Sequence, residues 1–208
     1  MRLLRRKQPG ETRSRRVAIF YKEYSALEEK TVGFATILKS MNIPLVRIIS
    51  TGGTIDSSPD YDSKKKSEFQ GSYLPQALAQ AKLDIQVILE PLMQKDSKDI
   101  TAEDRELILK RCLAAEENGI VVIHGTDTMC ETAHFLGESG VKDKTIVLVG
   151  SFVPLSQENS DALFNLGYAI ASAQILPHGV WVAMNGEVFE WDNVRKDREK
   201  ERFVRIRS

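Results

Sequence analysis

Short runs of β-branched and aliphatic residues recur along the chain, and each run ends at glycine, at a polar residue or in a loop. They occupy residues 45–50, 119–124, 145–150 and 180–184. None of them shows the alternation of apolar and polar residues that a half-exposed strand has. The pattern therefore predicts four buried strands, each covered on both faces.

Segments with helical periodicity and recognisable caps lie between these runs. Thr101 with Asp104 three residues later predicts a capped helix start, and Ser160 precedes a second helical segment that Pro177 ends. The apolar stripe of the first helix is predicted to contain Ile108, Leu109, Cys112 and Leu113. The stripe of the second is predicted to contain Leu163, Gly167, Ile170 and Ala171.

The alternation of strands and helices indicates an α/β fold with a doubly wound, mainly parallel sheet and helices on both faces. Ligands of such sheets bind at the carboxyl ends of the strands. We expect three parts: a basic, disordered tail at residues 1–16, an extension at residues 17–44 with a helix over 26–40, and one domain at residues 45–208. The helix over 26–40 is expected because Ser25 and Glu28 form a capping-box pattern.

Composition narrows the classes of partner. The 29 basic and 29 acidic residues balance, so no overall field favours nucleic acid or an anionic membrane. No run reaches the roughly 18 apolar residues of a membrane span, and no His, Cys or carboxylate spacing suggests a metal or cofactor site. Cys112 and Cys130 fall in predicted helices, which favours a reducing, cytoplasmic location. The Arg-rich start leaves an organelle transit peptide as the alternative, although Glu11 weakens it.

Two loops that follow predicted strands contain candidate chemistry. Residues 51–55 read Thr-Gly-Gly-Thr-Ile, in which the glycines permit a tight turn and Thr54 presents a hydroxyl beyond the sheet edge. An ordinary strand-end turn with a capping threonine explains this loop equally well. Residues 124–129 read His-Gly-Thr-Asp-Thr-Met, in which the histidine is expected to be a strand-end residue with a satisfied ring, and N-capping alone can account for Thr126 and Asp127. Capping does not explain why a second buried strand ends in Thr-Asp in the same molecule as the Thr-Gly-Gly-Thr loop.

Together these loops resemble the two signature motifs of the bacterial-type L-asparaginase family, which hydrolyses the side-chain amide of asparagine through a threonine nucleophile. The likeness covers residues 45–196 and is to the amino-terminal domain of the family only. Further matching positions are Asp96, Ser97, Lys98, Asp99, Ile100, Ser160, Asp161, Phe164, Asn165, Met184, Asn185, Val194, Arg195 and Lys196.

The resemblance implies a role for each matching side chain. Thr54 would be the nucleophile, Ser97 would anchor the substrate α-carboxylate, and Asp127 would hold the α-ammonium. Thr126 would form a hydrogen-bonded set with Lys196 and Asp127 that handles the proton of the attacking hydroxyl. Lys196 can accept a proton only when it is neutral. The alternative to a catalytic role is that Lys196 lies on a solvated surface, as residues in charged runs usually do.

Backbone and loop positions complete the expected site. Backbone N–H groups around Gly53 and Gly125 are candidates to stabilise an oxyanion, and Tyr61, with Tyr73 as a competitor, is the candidate hydroxyl of a lid. Lys98 stands where the family tends to have glutamine, so it adds a positive charge beside the substrate carboxylate and can shift the accepted substrate.

The resemblance implies an amidohydrolase acting on asparagine or a related small amino-acid amide, without a cofactor. Because the family's carboxyl-terminal domain normally completes the pocket from a neighbouring subunit, and this chain matches the amino-terminal domain alone, two alternatives stay open. They are a weak or inactive module that binds an amino acid, and an amidotransferase-type subunit that releases ammonia to a partner. We also expect a homo-oligomer, with apolar surface near the carboxyl edge of the sheet.

Overall fold

The computed structural model describes residues 19–21, 45–57 and 72–207. The basic tail at 1–16, the expected helix over 26–40 and the candidate lid residue Tyr61 lie outside the described residues. No helix in the described ranges is long and apolar enough to cross a membrane.

The described residues build a seven-stranded sheet in the order β1-β3-β2-β4-β5-β6-β7. Its strands are β1 (Ile19–Tyr21), β2 (Leu45–Gly52), β3 (Gln86–Lys95), β4 (Gly119–Ile123), β5 (Thr145–Val149), β6 (Gly179–Met184) and β7 (Glu187–Glu190). All neighbouring pairs are parallel except β6 and β7, which form an antiparallel hairpin. The predicted α/β fold with a mainly parallel sheet is therefore confirmed, as are the four predicted strands.

The strand order reverses direction at β2. The chain passes from β2 to β3 on one side and then returns to place β4, β5 and β6 on the other side. Such a reversal leaves a crevice beyond the carboxyl ends of the two central strands, here β2 and β4. The two loops singled out from the sequence follow these same two strands.

Strand β3 is not revealed by the apolar runs of the sequence because Glu90 interrupts it. Glu90 is buried, and its carboxylate accepts hydrogen bonds from Arg47 at 2.6 Å and from Arg111 at 2.5 Å. Arg47 also donates to the buried Glu117 at 2.7 Å. This network joins β2 and β3 to the loop before β4. Removing one partner of such a buried set costs about 3 to 5 kcal/mol of stability.

Four α-helices are present in the described residues: α1 (Leu74–Gln80), α2 (Ala102–Ala114), α3 (Met129–Glu138) and α4 (Ala162–Ile175). Two short 3-10 helices, Thr54–Asp56 and Ser97–Asp99, follow β2 and β3. The capping box predicted at the start of α2 is confirmed, since Thr101 and Asp104 exchange side chain to backbone hydrogen bonds.

The predicted helix stripes were partly wrong. Ile108 and Cys112 of α2 are buried, but Leu113 is 53% exposed. In α4 only Ile170 of the predicted stripe is buried, while Leu163, Gly167 and Ala171 are exposed. The buried residues of α4 are Ala162, Asn165, Leu166, Ala169, Ile170, Ser172 and Ala173. Because α4 is apolar on nearly every face, its periodicity could not identify the buried side.

A separate antiparallel pair, β8 (Arg195–Asp197) and β9 (Arg202–Val204), follows the main sheet. Isolated two-stranded hairpins are marginally stable. This one is held to the main body by Val194 and Phe203, whose side chains are 2% and 1% exposed.

Candidate active site

The two motif loops touch each other at the reversal point of the sheet. Thr51 donates its hydroxyl to the backbone carbonyl of Ile123 at 2.8 Å. Gly53 has a φ of 79°, and a Cβ atom placed on it would lie 2.5 Å from the Cα and N atoms of Gly125. The backbones therefore meet with no room for a side chain, which brings the loop of Thr54 against the loop of Thr126.

Thr54 begins the first 3-10 helix and is half-buried. Asp56, two residues later, fixes this turn: its carboxylate accepts hydrogen bonds from the Ser72 hydroxyl at 2.7 Å and from the Tyr73 backbone N–H at 3.0 Å. Burial raises the pKa of Asp56 despite these hydrogen bonds. Thr54, the candidate nucleophile, therefore lies in a short 3-10 turn that the hydrogen bonds of Asp56 hold in place.

Lys196 joins the second motif from the distant hairpin. Its Nζ donates to Thr126 Oγ1 at 2.8 Å and to Asp127 Oδ1 at 2.7 Å. The Lys196 side chain is 15% exposed and that of Asp127 is 22% exposed, and the ammonium also lies 5.4 Å from the centre of the Phe152 ring. The structure therefore brings three of the predicted residues together in one hydrogen-bonded set.

Phe152 is held in place by Asp161, which the sequence indicates only as a position of the family likeness. The Asp161 carboxylate accepts the backbone N–H groups of Phe152 at 3.1 Å and Val153 at 2.9 Å. Asn165 donates its side-chain amide to the same carboxylate at 2.8 Å and to the carbonyl of Gly150 at 3.1 Å. This cluster shapes the loop after β5 that covers Lys196.

Ser97 lies directly under the second motif. The serine is buried, and its hydroxyl accepts the backbone N–H of Asp127 at 3.2 Å. Thr128 donates its hydroxyl to the Ser97 carbonyl at 2.5 Å. A Cβ atom on Gly125 would lie 2.8 Å from Ser97 Oγ, so Gly125 is required for this approach.

Two more cations reach Asp127. Lys98 Nζ lies 3.1 Å from Asp127 Oδ2, and Arg198 Nη1 lies 3.8 Å from Oδ1. Burial acts to raise the pKa of Asp127, but hydrogen bonds and charge from Lys196 and Lys98 outweigh it and leave that pKa lowered. The pKa of Lys98 is raised by its hydrogen bond to Asp127 and by the charge of that carboxylate. Sequence reasoning missed Arg198, because its place in a charged run gives no signal of this contact.

The neighbouring His124 and Cys130 are structural. His124 is buried, with Nδ1 2.8 Å from the Gly125 carbonyl and Nε2 2.9 Å from the Thr132 hydroxyl. Burial lowers its pKa to about 4, so the ring is neutral at pH 7. Burial raises the pKa of Cys130 to about 11, which leaves little reactive thiolate. The expectation that His124 is a satisfied strand-end residue is confirmed.

Among residues 19–21, 45–57 and 72–207, no group of three or more His, Cys, Asp or Glu side chains is placed to hold a metal ion. The groups that meet at the crevice are hydroxyls, an ammonium, a carboxylate and backbone N–H groups. Such a set suits nucleophilic acyl transfer, in which a hydroxyl attacks a carbonyl and backbone donors stabilise the oxyanion.

Comparisons with known proteins point to enzymes with amide chemistry. L-asparaginase 2 of Escherichia coli is 31% identical over 186 residues, which cover 85% of this chain and 52% of that protein. One subunit of the glutamyl-tRNA(Gln) amidotransferase of Saccharolobus solfataricus is 34% identical over 149 residues, covering 68% of this chain and 33% of that one. The crystal structure of L-asparaginase I from Vibrio cholerae matches with a TM-score of 0.67 and 28% identity, covering 78% and 51% of the two chains.

The chain spans about half the length of the asparaginases it matches. The family model described as Asparaginase, N-terminal, matches residues 45–203. This range contains both motif loops, the Ser97 turn and Lys196. The chain therefore belongs to the asparaginase family, as a representative of its amino-terminal domain.

Proposed function

We propose that this domain hydrolyses the side-chain amide of L-asparagine, or of a related small amide, to the acid and ammonia, with Thr54 as nucleophile. One observation carries the proposal: Lys196 Nζ bonds both Thr126 Oγ1 and Asp127 Oδ1. A module that only binds an amino acid has no need of a lysine held against a hydroxyl. Thr126 and Asp127 of this set follow Gly125, whose backbone meets Gly53 in the turn of Thr54.

In the proposed reaction the Thr54 hydroxyl attacks the amide carbon, and its proton passes by way of Thr126 to the Nζ of Lys196 in its neutral amine form. Asp127 stabilises the ammonium that results. The carbonyl oxygen becomes an oxyanion, for which backbone N–H groups near Gly53 and Gly125 are the candidate donors. Each well-placed donor contributes about 3 kcal/mol. The C–N bond then breaks as the nitrogen takes that proton from Lys196 and leaves as ammonia. Water hydrolyses the ester and returns a proton to the Thr54 oxygen.

Ser97 and Lys98 are the proposed anchors of the substrate carboxylate. The Ser97 hydroxyl accepts a hydrogen bond from Asp127 N and retains its own proton to donate. Lys98, next along the same 3-10 helix, is 65% exposed and supplies a positive charge at the crevice. Tyr61 remains the proposed lid hydroxyl.

A second candidate function is supported by the similarity to the amidotransferase subunit. In that case the same hydrolysis releases ammonia for use by a partner protein. The chemistry at Thr54 is unchanged, and only the fate of the ammonia differs.

Self-association is part of the proposal. Leu163 and Phe164, at the start of α4, are 52% and 63% exposed and follow the carboxyl end of β5. An apolar surface there is of the kind that protein partners cover. The free thiols of Cys112 and Cys130 support a reducing, cytoplasmic location.

The test is ammonia release from L-asparagine, L-glutamine and simple amides by the purified protein and by Thr54→Ala and Thr126→Ala. We expect each substitution to abolish release. Thr101→Ala is the matched control, since it removes a hydroxyl that only caps α2 and costs about 1 kcal/mol of stability. If the wild type and both variants release no ammonia from any of these amides, the enzyme proposal is wrong and the amino-acid-binding alternative takes its place.

A further inference from the structure

The carboxylate that the family resemblance assigns to the substrate ammonium is already paired on both of its oxygens. Lys196 lies 2.7 Å from Asp127 Oδ1 and Lys98 lies 3.1 Å from Oδ2, while Arg198 approaches Oδ1 at 3.8 Å. Three positive charges thus face one negative charge. A substrate ammonium entering this position would add a fourth positive charge.

Lys98 holds the oxygen that such an ammonium would need. Lys196 is also bonded to Thr126, and Arg198 is at the longer distance. The backbone of Lys98 is fixed beside the site, because its N–H is bonded to Asp96 Oδ1 at 2.9 Å in the cap of the second 3-10 helix.

Two further acids lie near these cations, and each of them interacts with a lysine. The Asp96 carboxylate also interacts with the Lys98 ammonium, but more weakly than Asp127 does. Asp197, in the hairpin, is paired with Lys200 at 3.8 Å. With Lys98 in place, the cation position at Asp127 Oδ2 is therefore already filled, and the charges of Lys196 and Arg198 add to the cost of a further cation there.

On the basis of the proposed hydrolysis, we propose that the site takes ω-amides of dicarboxylic acids that have no α-ammonium group, and that Lys98 determines this preference. Lys98 occupies the ammonium position on Asp127, and the substrate carboxylate is drawn to the surplus positive charge beside Ser97. Succinamate, which is L-asparagine without its α-ammonium group, is the simplest substrate of this class.

The experiment compares kcat/KM for ammonia release from succinamate and from L-asparagine. It uses the wild type, Lys98→Gln and, as matched control, Lys110→Gln, which removes an exposed charge from α2. We expect the wild type to favour succinamate by about twofold to fivefold, the effect of one solvent-screened charge contact. Lys98→Gln should move the ratio by about the same factor towards L-asparagine, and Lys110→Gln should leave it unchanged.

Calorimetric binding of succinate and L-aspartate, the corresponding products, separates this inference from the proposed function. If no variant releases ammonia, the proposed hydrolysis fails, yet tighter binding of succinate that Lys98→Gln abolishes still supports the inference. Preference of the wild type for the ligands with an α-ammonium overturns the inference. A ratio unaffected by Lys98→Gln, or binding of neither product together with no turnover, also overturns it.

Discussion

Replacing Gly53 by alanine tests whether the contact between the two motif loops builds the site. The new Cβ atom would lie 2.5 Å from Gly125 Cα and N, whereas ordinary contacts begin near 3.4 Å. The atoms it would meet belong to the backbone, so no side chain can rotate away. We expect the loops of Thr54 and Thr126 to separate by about 1 Å, the difference between 2.5 Å and an ordinary contact.

The cost has two sources that a second glycine can separate. Gly53 has a φ of 79° and a ψ of −179°, a region essentially restricted to glycine in which alanine is strained by about 1 to 3 kcal/mol. Overpacking adds about 1 to 3 kcal/mol. Gly140 has a φ of 72°, and a Cβ atom on it meets nothing within 4 Å, so Gly140→Ala introduces the strain of a positive φ without overpacking. We expect Gly53→Ala to lose about 2 to 6 kcal/mol of unfolding free energy and Gly140→Ala about 1 to 2 kcal/mol.

Urea unfolding gives the two free energies, and ammonia release gives the functional effect. A misplacement of about 1 Å between reacting groups reduces rates by about 100-fold, so Gly53→Ala should lose most of its activity while Gly140→Ala retains it. Equal losses of stability in the two variants, or full activity in Gly53→Ala, would refute the view that the glycine contact positions the reacting threonine.

Two further predictions concern acid stability and assembly. Burial lowers the pKa of His124 to about 4 from its ordinary value near 6.5. The unfolded chain therefore binds a proton first, and stability is lost as pH falls from about 6.5 towards 4, by about 2 to 3 kcal/mol at about pH 4.5. His124→Gln should flatten this dependence in urea unfolding, and the exposed His178→Gln should not; an unchanged slope in His124→Gln would contradict the assignment. Light scattering should give a dimer or larger, and Phe164→Lys should shift it towards monomer; a strict monomer at high concentration would argue against self-association.

The parts of the fold that followed from the sequence are those in which a local pattern has one structural meaning. The four apolar runs became β2, β4, β5 and β6, because uninterrupted aliphatic residues between glycines suit only a covered strand. Strand β3 was not predicted, because the buried charge of Glu90 is stable only with Arg47 and Arg111 beside it. Those partners are distant in sequence, so no local window contains the reason.

The same distinction applies to the candidate site. The loops of Thr54 and Thr126 follow predicted strands, and their meeting follows from the rule that ligand sites form beyond the carboxyl ends of parallel strands. Lys196 lies in a charged run that by itself predicts a solvated surface. Its position depends on Phe203, which pairs with it across the β8 and β9 hairpin and is buried in the core. Arg198 was missed for the same reason.

The dependence of Lys196 on that hairpin has a consequence for biosynthesis. Lys196 is 69 residues beyond Asp127, and the hairpin that holds it is complete only when β9 has emerged from the ribosome. At a synthesis rate of about 5 to 20 residues per second, several seconds pass between synthesis of the second motif loop and synthesis of the hairpin that contains Lys196. During that interval the nascent sheet can form around both loops but lacks the ammonium, so the proposed hydrolysis can begin only after β9 has paired with β8.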